Sequence, residues 1–248
     1  MPNLATHIDL AQQAAGRLQH PTIEGNVGHF LLGSTTPDVR AISRGSREDY
    51  HFAPLDFDEV GAGVSGLFNA YPGLRDVGEH NGQTVAFVAG YMTHLIADEV
   101  WIQDMYRPYF GNDNAFADAT TANVMDRAVQ LDLDRRAWHA FDAARGSLHG
   151  ATEKVEIGFI DRDILDEWLG WVFTVGDRGF SWDRLRFMAK RVSRGDASHP
   201  AHRIAEEFLT GMPESLEALY LLVPSEDVDR YRERTVDELV REVDRFLS

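Results

Sequence analysis

One segment, residues 83–102, constrains the fold of this chain more than any other, because it is apolar on almost every side. Apolar residues occur at each helical turn of the segment, with no continuous polar face between them. A helix that is hydrophobic all round is stable in water only when it is buried on every side. The sequence therefore predicts a central helix here, with the rest of the chain packed around it.

Much of the remaining chain shows the 3.6-residue period of amphipathic helices. No run of alternating polar and apolar residues is long enough to indicate a sheet. The 248 residues are enough for one large domain. We predict an all-α, single-domain multi-helix bundle over residues 1–248. Besides a helix that begins near residue 58, helices are expected at 4–18, 23–32, 115–131, 133–145, 162–175, 181–194, 200–211, 214–222 and 225–247.

Charge and cysteine content exclude several classes of function. The chain has 40 acidic residues against 24 Lys and Arg, a formal net charge of -16. This disfavours a nucleic-acid partner and docking on an anionic bilayer, unless a local patch is basic. With no cysteine, any transition metal must be held by imidazole and carboxylate. The N-terminal residues show no signal peptide and no apolar run spans a bilayer, so we expect a cytoplasmic protein without stable membrane insertion.

Residues 61–66 match the glycine pattern G-x-G-x-x-G of dinucleotide-binding loops. That fingerprint needs a preceding strand and a crossover unit. Here an acidic, proline-containing stretch precedes it, so we interpret the small residues as a surface for close helix packing.

The central segment carries a histidine and a carboxylate four residues apart, His94 and Asp98. On a helix this spacing places both side chains on one face, where they could hold one cation. A carboxylate buried in so apolar a helix needs a cation or hydrogen bonds. The spacing leaves two alternatives open, a metal site and a buried Asp–His pair that braces the core.

Residues 33–56 form a polar, irregular stretch that contains Asp38 and His51. Loops of this length inside a compact domain are usually functional. Asp38 and His51 could fold over the central helix and complete a His/carboxylate shell, although Pro-Asp is also a common turn dipeptide. His7 lies on the apolar face of the first helix, where it is either a core histidine or a further ligand.

The order of these pieces resembles the zinc-dependent phospholipase C family, which is related to the P1-type nucleases. The resemblance covers about residues 4–110. It is carried by His7 in Thr-His-Ile-Asp-Leu-Ala, by Phe-Leu-Leu-Gly-Ser-Thr-Thr-Pro-Asp ending at Asp38, by His51, and by Tyr-Met-Thr-His-Leu-Ile-Ala-Asp-Glu around His94 and Asp98.

The resemblance implies a phospholipase C/P1 nuclease-like helical bundle with up to three zinc ions, other divalent metals being possible, held mainly by residues 7–104. One metal would be bound by Asp38, His51, His94 and Asp98. Asp98 would bridge to a second metal that His7 also binds. His149 and Glu153 have the spacing of two ligands of a third metal, but Asp104 stands near the position where that metal's remaining histidine is expected.

The activity implied by the resemblance is phosphoric ester hydrolysis, in which metal-bound hydroxide attacks phosphorus and Asp38 positions or deprotonates the water. The expected substrate is a small phosphoester or a phospholipid head group. Candidate substrate-binding residues in the irregular stretch are Arg40, Arg44, Arg47, Tyr50 and Phe52. The alternative function is a non-catalytic metal-binding scaffold or interaction protein on the same fold.

Overall fold

The computed structural model describes residues 2–43, 45–111 and 115–248, and within these ranges all regular structure is helical. The predicted all-α class is therefore confirmed. The α-helices are α1 (Leu4–Leu18), α2 (Pro21–Glu24), α3 (Val27–Gly33), α4 (Glu48–His51), α5 (Ala62–Ala70), α6 (Gly82–Trp101), α7 (Ala119–Ala144), α8 (Arg162–Asp177), α9 (Arg184–Val192), α10 (Pro200–Thr210), α11 (Glu214–Leu222) and α12 (Ser225–Leu247).

Helix α6 is the centre of the molecule, as its sequence predicts. Every residue from Thr84 to Trp101 is buried, and α1, α3, α5 and α12 pack against the helix. The helix begins at Asn81, whose side-chain oxygen accepts a hydrogen bond from the Thr84 amide at 2.8 Å. Beyond Trp101 the chain continues as a π-helix, Ile102–Phe110.

The continuous helix Gly82–Phe110 is long and apolar enough, by length and composition alone, to cross a membrane. Its most apolar window is nevertheless completely buried among the other helices. Burial in the core thus accounts for the hydrophobicity of this segment.

Helices α3 and α6 approach each other unusually closely, because each presents a glycine at the crossing. A Cβ atom on Gly90 would lie 1.9 Å from the Phe30 carbonyl oxygen, and one on Gly33 would lie 2.1 Å from that of Phe87. Only glycine fits at either position. The crossing brings the residues that follow α3 directly onto the polar part of α6.

The glycines of residues 61–66 serve helix packing, which confirms the sequence interpretation. Gly61 precedes α5 with a φ of 104°, a conformation that favours glycine. A Cβ on Gly63 would lie 2.7 Å from the His51 carbonyl oxygen, and one on Gly66 would lie 2.0 Å from that of Phe52. Helix α5 therefore sits directly against the end of α4.

Some predicted boundaries are wrong. Residues 23–32 belong to two helices, α2 and α3, and the predicted helices 115–131 and 133–145 are one helix, α7. The chain does not break near residue 132 because the buried Asp132 carboxylate is paired with Arg135 and Arg136, each at 2.8 Å. The irregular stretch contains a 3₁₀-helix, Thr36–Ala41, and the short α4.

Candidate metal centre

His94 and Asp98 lie on one face of α6, as their spacing predicts. The distance from His94 Nε2 to Asp98 Oδ2 is 3.7 Å, and both side chains are 1% exposed. Two polar groups so deeply buried must be compensated by other polar groups or by a cation.

Three further side chains converge on this pair from distant parts of the sequence. His7 comes from α1, His51 is the last residue of α4, and Asp38 lies in the 3₁₀-helix Thr36–Ala41. They form two overlapping groups whose ligand atoms lie within 4.8 Å of one another, His7/His94/Asp98 and Asp38/His51/His94. Ligand atoms around one zinc ion, each about 2.0–2.2 Å from the metal, have comparable separations.

The two carboxylate oxygens of Asp98 face different sides of the cluster. Oδ2 lies 3.2 Å from His51 Nε2, on the same side as His94, whereas Oδ1 lies 3.5 Å from His7 Nε2. A carboxylate placed in this way can bridge two neighbouring cations.

Backbone carbonyls determine which nitrogen of two histidines faces the cluster. His94 Nδ1 donates to the Ser34 carbonyl at 2.9 Å, and His51 Nδ1 donates to the Arg47 carbonyl at 3.3 Å. A carbonyl only accepts, so the proton of each neutral ring is on Nδ1, and Nε2 presents its lone pair. Metal-binding histidines commonly have this second interaction.

The pKa shifts agree with metal binding. Burial, followed by the proximity of His7, lowers the pKa of His94 to about 3, so its ring is neutral at neutral pH. Burial alone would raise the pKa of Asp98, but the surrounding imidazoles, His94 first, hold it well below its ordinary value. The same balance lowers the pKa of Asp38. The cluster therefore offers the neutral imidazole of His94 and the ionised carboxylates of Asp38 and Asp98.

Several atoms of the cluster are buried without a hydrogen-bond partner among the described residues. They are His7 Nδ1 and Nε2, His51 Nε2, His94 Nε2 and Asp98 Oδ1. Leaving such an atom unsatisfied costs about 1–3 kcal/mol. A nitrogen- and oxygen-coordinated divalent ion would satisfy these lone pairs, so the residues present fit a zinc site.

The sequence profile of the zinc dependent phospholipase C family matches residues 6–174, about two thirds of the chain. The chain belongs to this family. Neither a comparison with curated proteins nor one with solved structures gives a match. Family membership and the His/Asp cluster together support a metal-dependent, phospholipase C-like function. All five converging residues lie inside the matched part of this phospholipase C family member.

An arginine lies at the edge of the metal centre. Arg47 Nη2 is 3.5 Å from Asp98 Oδ2, and Nη1 donates to the Ala53 carbonyl at 3.0 Å. Of the other predicted arginines, Arg40 is half-buried at the end of the 3₁₀-helix, and Arg44 lies outside the described residues. The centre thus has a fixed organic cation beside its carboxylate.

The predicted aromatic pocket walls are largely packed in the core. Tyr50 is buried, and its carbonyl accepts a hydrogen bond from the Tyr91 hydroxyl at 2.5 Å. The half-buried Phe52 packs against an aromatic cluster of Tyr71, Tyr91 and Phe159. The substrate-binding roles of Tyr50 and Phe52 stay predictions.

The structure does not bring His149 and Glu153 to the cluster. Both residues are exposed and lie in turns after a 3₁₀-helix, so their spacing does not place them on one helical face. The His149 ring stacks on Phe173, and the Glu153 carbonyl accepts a hydrogen bond from His29 near the start of α3. The metal cluster lies at the other end of α3, beside Ser34.

Asp104 does not take the place of the missing third-metal histidine either. Its carboxylate forms an ion pair with Arg234 of α12. Among the described residues, the candidate ligand groups are confined to the five-residue cluster.

Sequence reasoning missed two carboxylates that position the cluster. Glu99, next to Asp98, accepts the Gly61 and Gly63 amides at 2.5 and 2.6 Å and so fixes α5 against His51. Burial raises the pKa of the Glu99 carboxyl.

The second carboxylate, Asp134 of α7, accepts hydrogen bonds from the amide and the hydroxyl of Thr6, at 2.9 and 3.0 Å. It thereby holds the residue next to His7. Glu99 could have been found as a second acid in the apolar helix, whereas nothing local marks Asp134.

Proposed function

We propose that this protein is a zinc-dependent phosphodiesterase that hydrolyses phospholipid head-group esters. The observation that carries the proposal is the buried cluster of three histidines and two aspartates with unsatisfied atoms facing one another. Family membership supports the phosphoester class of substrate. The chain would be an enzyme rather than a scaffold because the cluster is bordered by groups suited to phosphate and to proton transfer.

The arrangement suggests two metal positions that share Asp98. Asp38, His51, His94 and Asp98 Oδ2 would hold one ion, and His7 with Asp98 Oδ1 would hold the other. Bound zinc would supply the Lewis acidity that lowers the pKa of water and neutralises phosphoryl oxygens. The second position has only two protein ligands among the described residues, so we expect it to bind metal more weakly.

Asp38 is the residue best placed to accept a proton. It is the one member of the cluster that is not fully buried. Its lowered pKa keeps the carboxylate ionised at neutral pH. An ionised carboxylate on the least buried residue of the cluster can orient an attacking water and receive its proton.

Arg47 is the residue best placed to bind the substrate phosphate. Its guanidinium is held beside Asp98 by the Ala53 carbonyl. A planar guanidinium binds two phosphate oxygens at once and stays charged at any physiological pH. Arg40 remains a candidate for phosphate binding, as does Arg44, which lies outside the described residues.

The test compares two His-x-x-x-acid pairs of equal spacing in one protein. We expect protein prepared without chelator to contain zinc and to hydrolyse a soluble phosphodiester. His94→Ala should lower turnover by about 100-fold or more and abolish zinc binding, since it removes a ligand. His202→Ala, in the exposed pair with Glu206, should change neither.

Variants at His149 test the ligand set further. His149→Ala and Glu153→Ala should keep zinc content and turnover, because the structure places both residues away from the cluster. Zinc binding without any phosphodiester or phosphomonoester turnover would favour the non-catalytic scaffold. Absence of zinc, iron and manganese from the purified protein would overturn the metal site itself.

A further inference from the structure

Helix α9 differs in charge from the rest of this acidic chain. Residues 184–195 contain five basic residues and no acidic one, whereas the whole chain has a net charge of -16. The segment lies beyond the part of the chain that the family profile matches. Its charge is therefore a feature that the metal centre does not explain.

Two of the five cations are already used within the fold. Arg184 points inward, where it donates to the Gly179 carbonyl at 2.9 Å and lies over the Trp138 ring. Arg186 forms ion pairs with Glu206, at 2.7 Å, and with Asp183. Neither of these side chains is available to a partner.

The other three cations lie on the exposed surface at the C-terminal end of α9, together with an aromatic ring. Phe187, Lys190 and Arg191 follow the i, i+3, i+4 spacing of one helical face, and Arg194 lies in the turn directly after the helix. These four residues are here called the basic stripe. All four are exposed, Phe187 by 60%. Within the described part of the chain, no carboxylate lies within ion-pair distance of these three cations.

Neither a rotation of α9 nor the acidic residue that follows it in sequence removes the basic stripe from the surface. Leu185 and Ala189, on the opposite face of the helix, are buried in the core, so the helix cannot rotate to hide the stripe. Asp196 follows closely in sequence, but its carboxylate accepts the Ser198 amide and hydroxyl at 2.8 and 2.7 Å. The Arg191 guanidinium lies over the Phe187 ring, 5.3 Å from its centroid.

We propose that the basic stripe is a docking surface for anionic phospholipid membranes, with Phe187 entering the interfacial region while the three cations contact lipid phosphates. The inference rests on the proposed function, because a lipid substrate has to be reached in its bilayer. Cations around one exposed aromatic ring are typical of interfacial helices. At physiological ionic strength charges are screened beyond about 8 Å, so the local stripe outweighs distant acids.

The test is binding to vesicles, which needs no catalysis. The full-length protein is floated with phosphatidylcholine vesicles and with vesicles that also contain phosphatidylserine. We expect salt-sensitive binding to the second kind only. We expect binding to these anionic vesicles to weaken about 100-fold in the triple variant Lys190→Gln/Arg191→Gln/Arg194→Gln, since each cation near an anionic surface contributes about fivefold. The control Arg230→Gln/Arg241→Gln/Arg245→Gln changes net charge equally on α12 and should bind like the wild type.

A second pair of variants tests the aromatic residue without changing charge. Phe187→Ala should weaken binding about tenfold, because the buried ring area is lost. Leu221→Ala removes another exposed apolar side chain, 85% exposed on α11, and should have no effect. Equal loss in both triple variants, or no binding by the wild type, would overturn the proposal.

Single-stranded oligonucleotides provide the competing outcome. If the wild type binds an oligonucleotide through the stripe but does not bind the anionic vesicles, the surface serves nucleic acid and the membrane proposal is wrong. Vesicle binding and phosphodiester hydrolysis are measured separately, so the docking proposal and the proposed function can fail independently. Vesicle binding by a protein that hydrolyses no phosphodiester would contradict the function and leave the docking surface standing.

Discussion

At the scale of single residues, four pairs in this chain have the same His-x-x-x-acid spacing, and among the described residues only one belongs to the candidate metal centre. His20 accepts the Thr22 amide at the start of α2, His149 stacks on Phe173, and His202 donates to the Asp196 carbonyl. His94 and Asp98 differ because they lie in the buried helix and meet three more side chains. Burial therefore distinguishes the ligand pair, and spacing does not.

Asp98→Asn tests the residue that lies within 4 Å of all three histidines of the cluster. The amide keeps the size of the side chain but loses the charge and one acceptor oxygen. We expect zinc affinity to fall by at least about 100-fold, more than the loss of a residue that only orients a ligand would cause. Competition with a chromophoric chelator measures this. The control is Glu206→Gln, which changes the acid of the His202/Glu206 pair on α10. An unchanged zinc affinity in Asp98→Asn would exclude Asp98 as a ligand.

At the scale of elements, glycines decide how the ligand-bearing segments are placed. Gly33 and Gly90 allow α3 to cross α6 closely enough for the Ser34 carbonyl to accept from His94. Gly63 and Gly66 let α5 press on the backbone of His51 and Phe52. The orientation of two histidines thus depends on backbone contacts that larger residues would prevent.

Gly90→Ala tests the α3–α6 crossing. The added methyl group would meet the Phe30 carbonyl, so the helices must separate and the Ser34–His94 hydrogen bond must lengthen. We expect a loss of about 1–3 kcal/mol in unfolding free energy and weaker zinc binding. Urea unfolding and zinc titration measure the two effects.

The matched control for this variant is Gly170→Ala in α8. A Cβ atom added at Gly170 would have no neighbouring atom within 4 Å among the described residues. Alanine should stabilise that helix by up to about 1 kcal/mol and leave zinc binding unchanged. If both substitutions behaved alike, close helix approach would not be what positions His94.

At the scale of the whole molecule, polar contacts between segments far apart in sequence add to the hydrophobic core around α6. Asp134 joins α7 to α1 through Thr6, across 128 residues. Trp101 is buried and donates to Asp126 at 3.0 Å, which joins α6 to α7. The core around α6 includes buried residues from α1 to α12.

Asp134→Asn tests how this buried carboxylate makes stability depend on pH. Burial raises the pKa of Asp134 to about 6, because the donors of Thr6 and the charge of Arg184 only partly offset it. The folded state therefore holds the proton more tightly than the unfolded state, and its stability falls as pH rises from about 4 to about 6. Asparagine keeps the acceptor oxygen without this dependence.

The comparison of the two proteins isolates the effect of Asp134. From about pH 4 to about pH 7, wild-type stability should fall by about 2 kcal/mol relative to Asp134→Asn. Urea unfolding at the two pH values measures the difference in unfolding free energy between the two proteins. The other titrating groups contribute equally to both proteins, so their effects cancel. A difference independent of pH would mean that Asp134 ionises normally in the folded protein.

The sequence by itself determined the helical class, the buried central helix and the shared face of His94 and Asp98. These features follow from local periodicity, because residues three or four apart on a helix are neighbours whatever surrounds them. The irregular stretch and the first helix offered Asp38, His51 and His7 as candidates, and the resemblance to a known family assigned them to metal ions. The resemblance also implied His149 and Glu153, which lie in turns and are not among the ligand groups of the described residues.

Only the tertiary structure decided which candidates meet. His7, Asp38 and His51 reach Asp98 because the glycine crossings, Glu99 and Asp134 bring four segments together, and these contacts join residues far apart in the chain. The structure likewise decided which cations of α9 are used within the fold and which remain on its surface. Sequence spacing specifies a helical face, whereas the neighbours of that face depend on long-range packing.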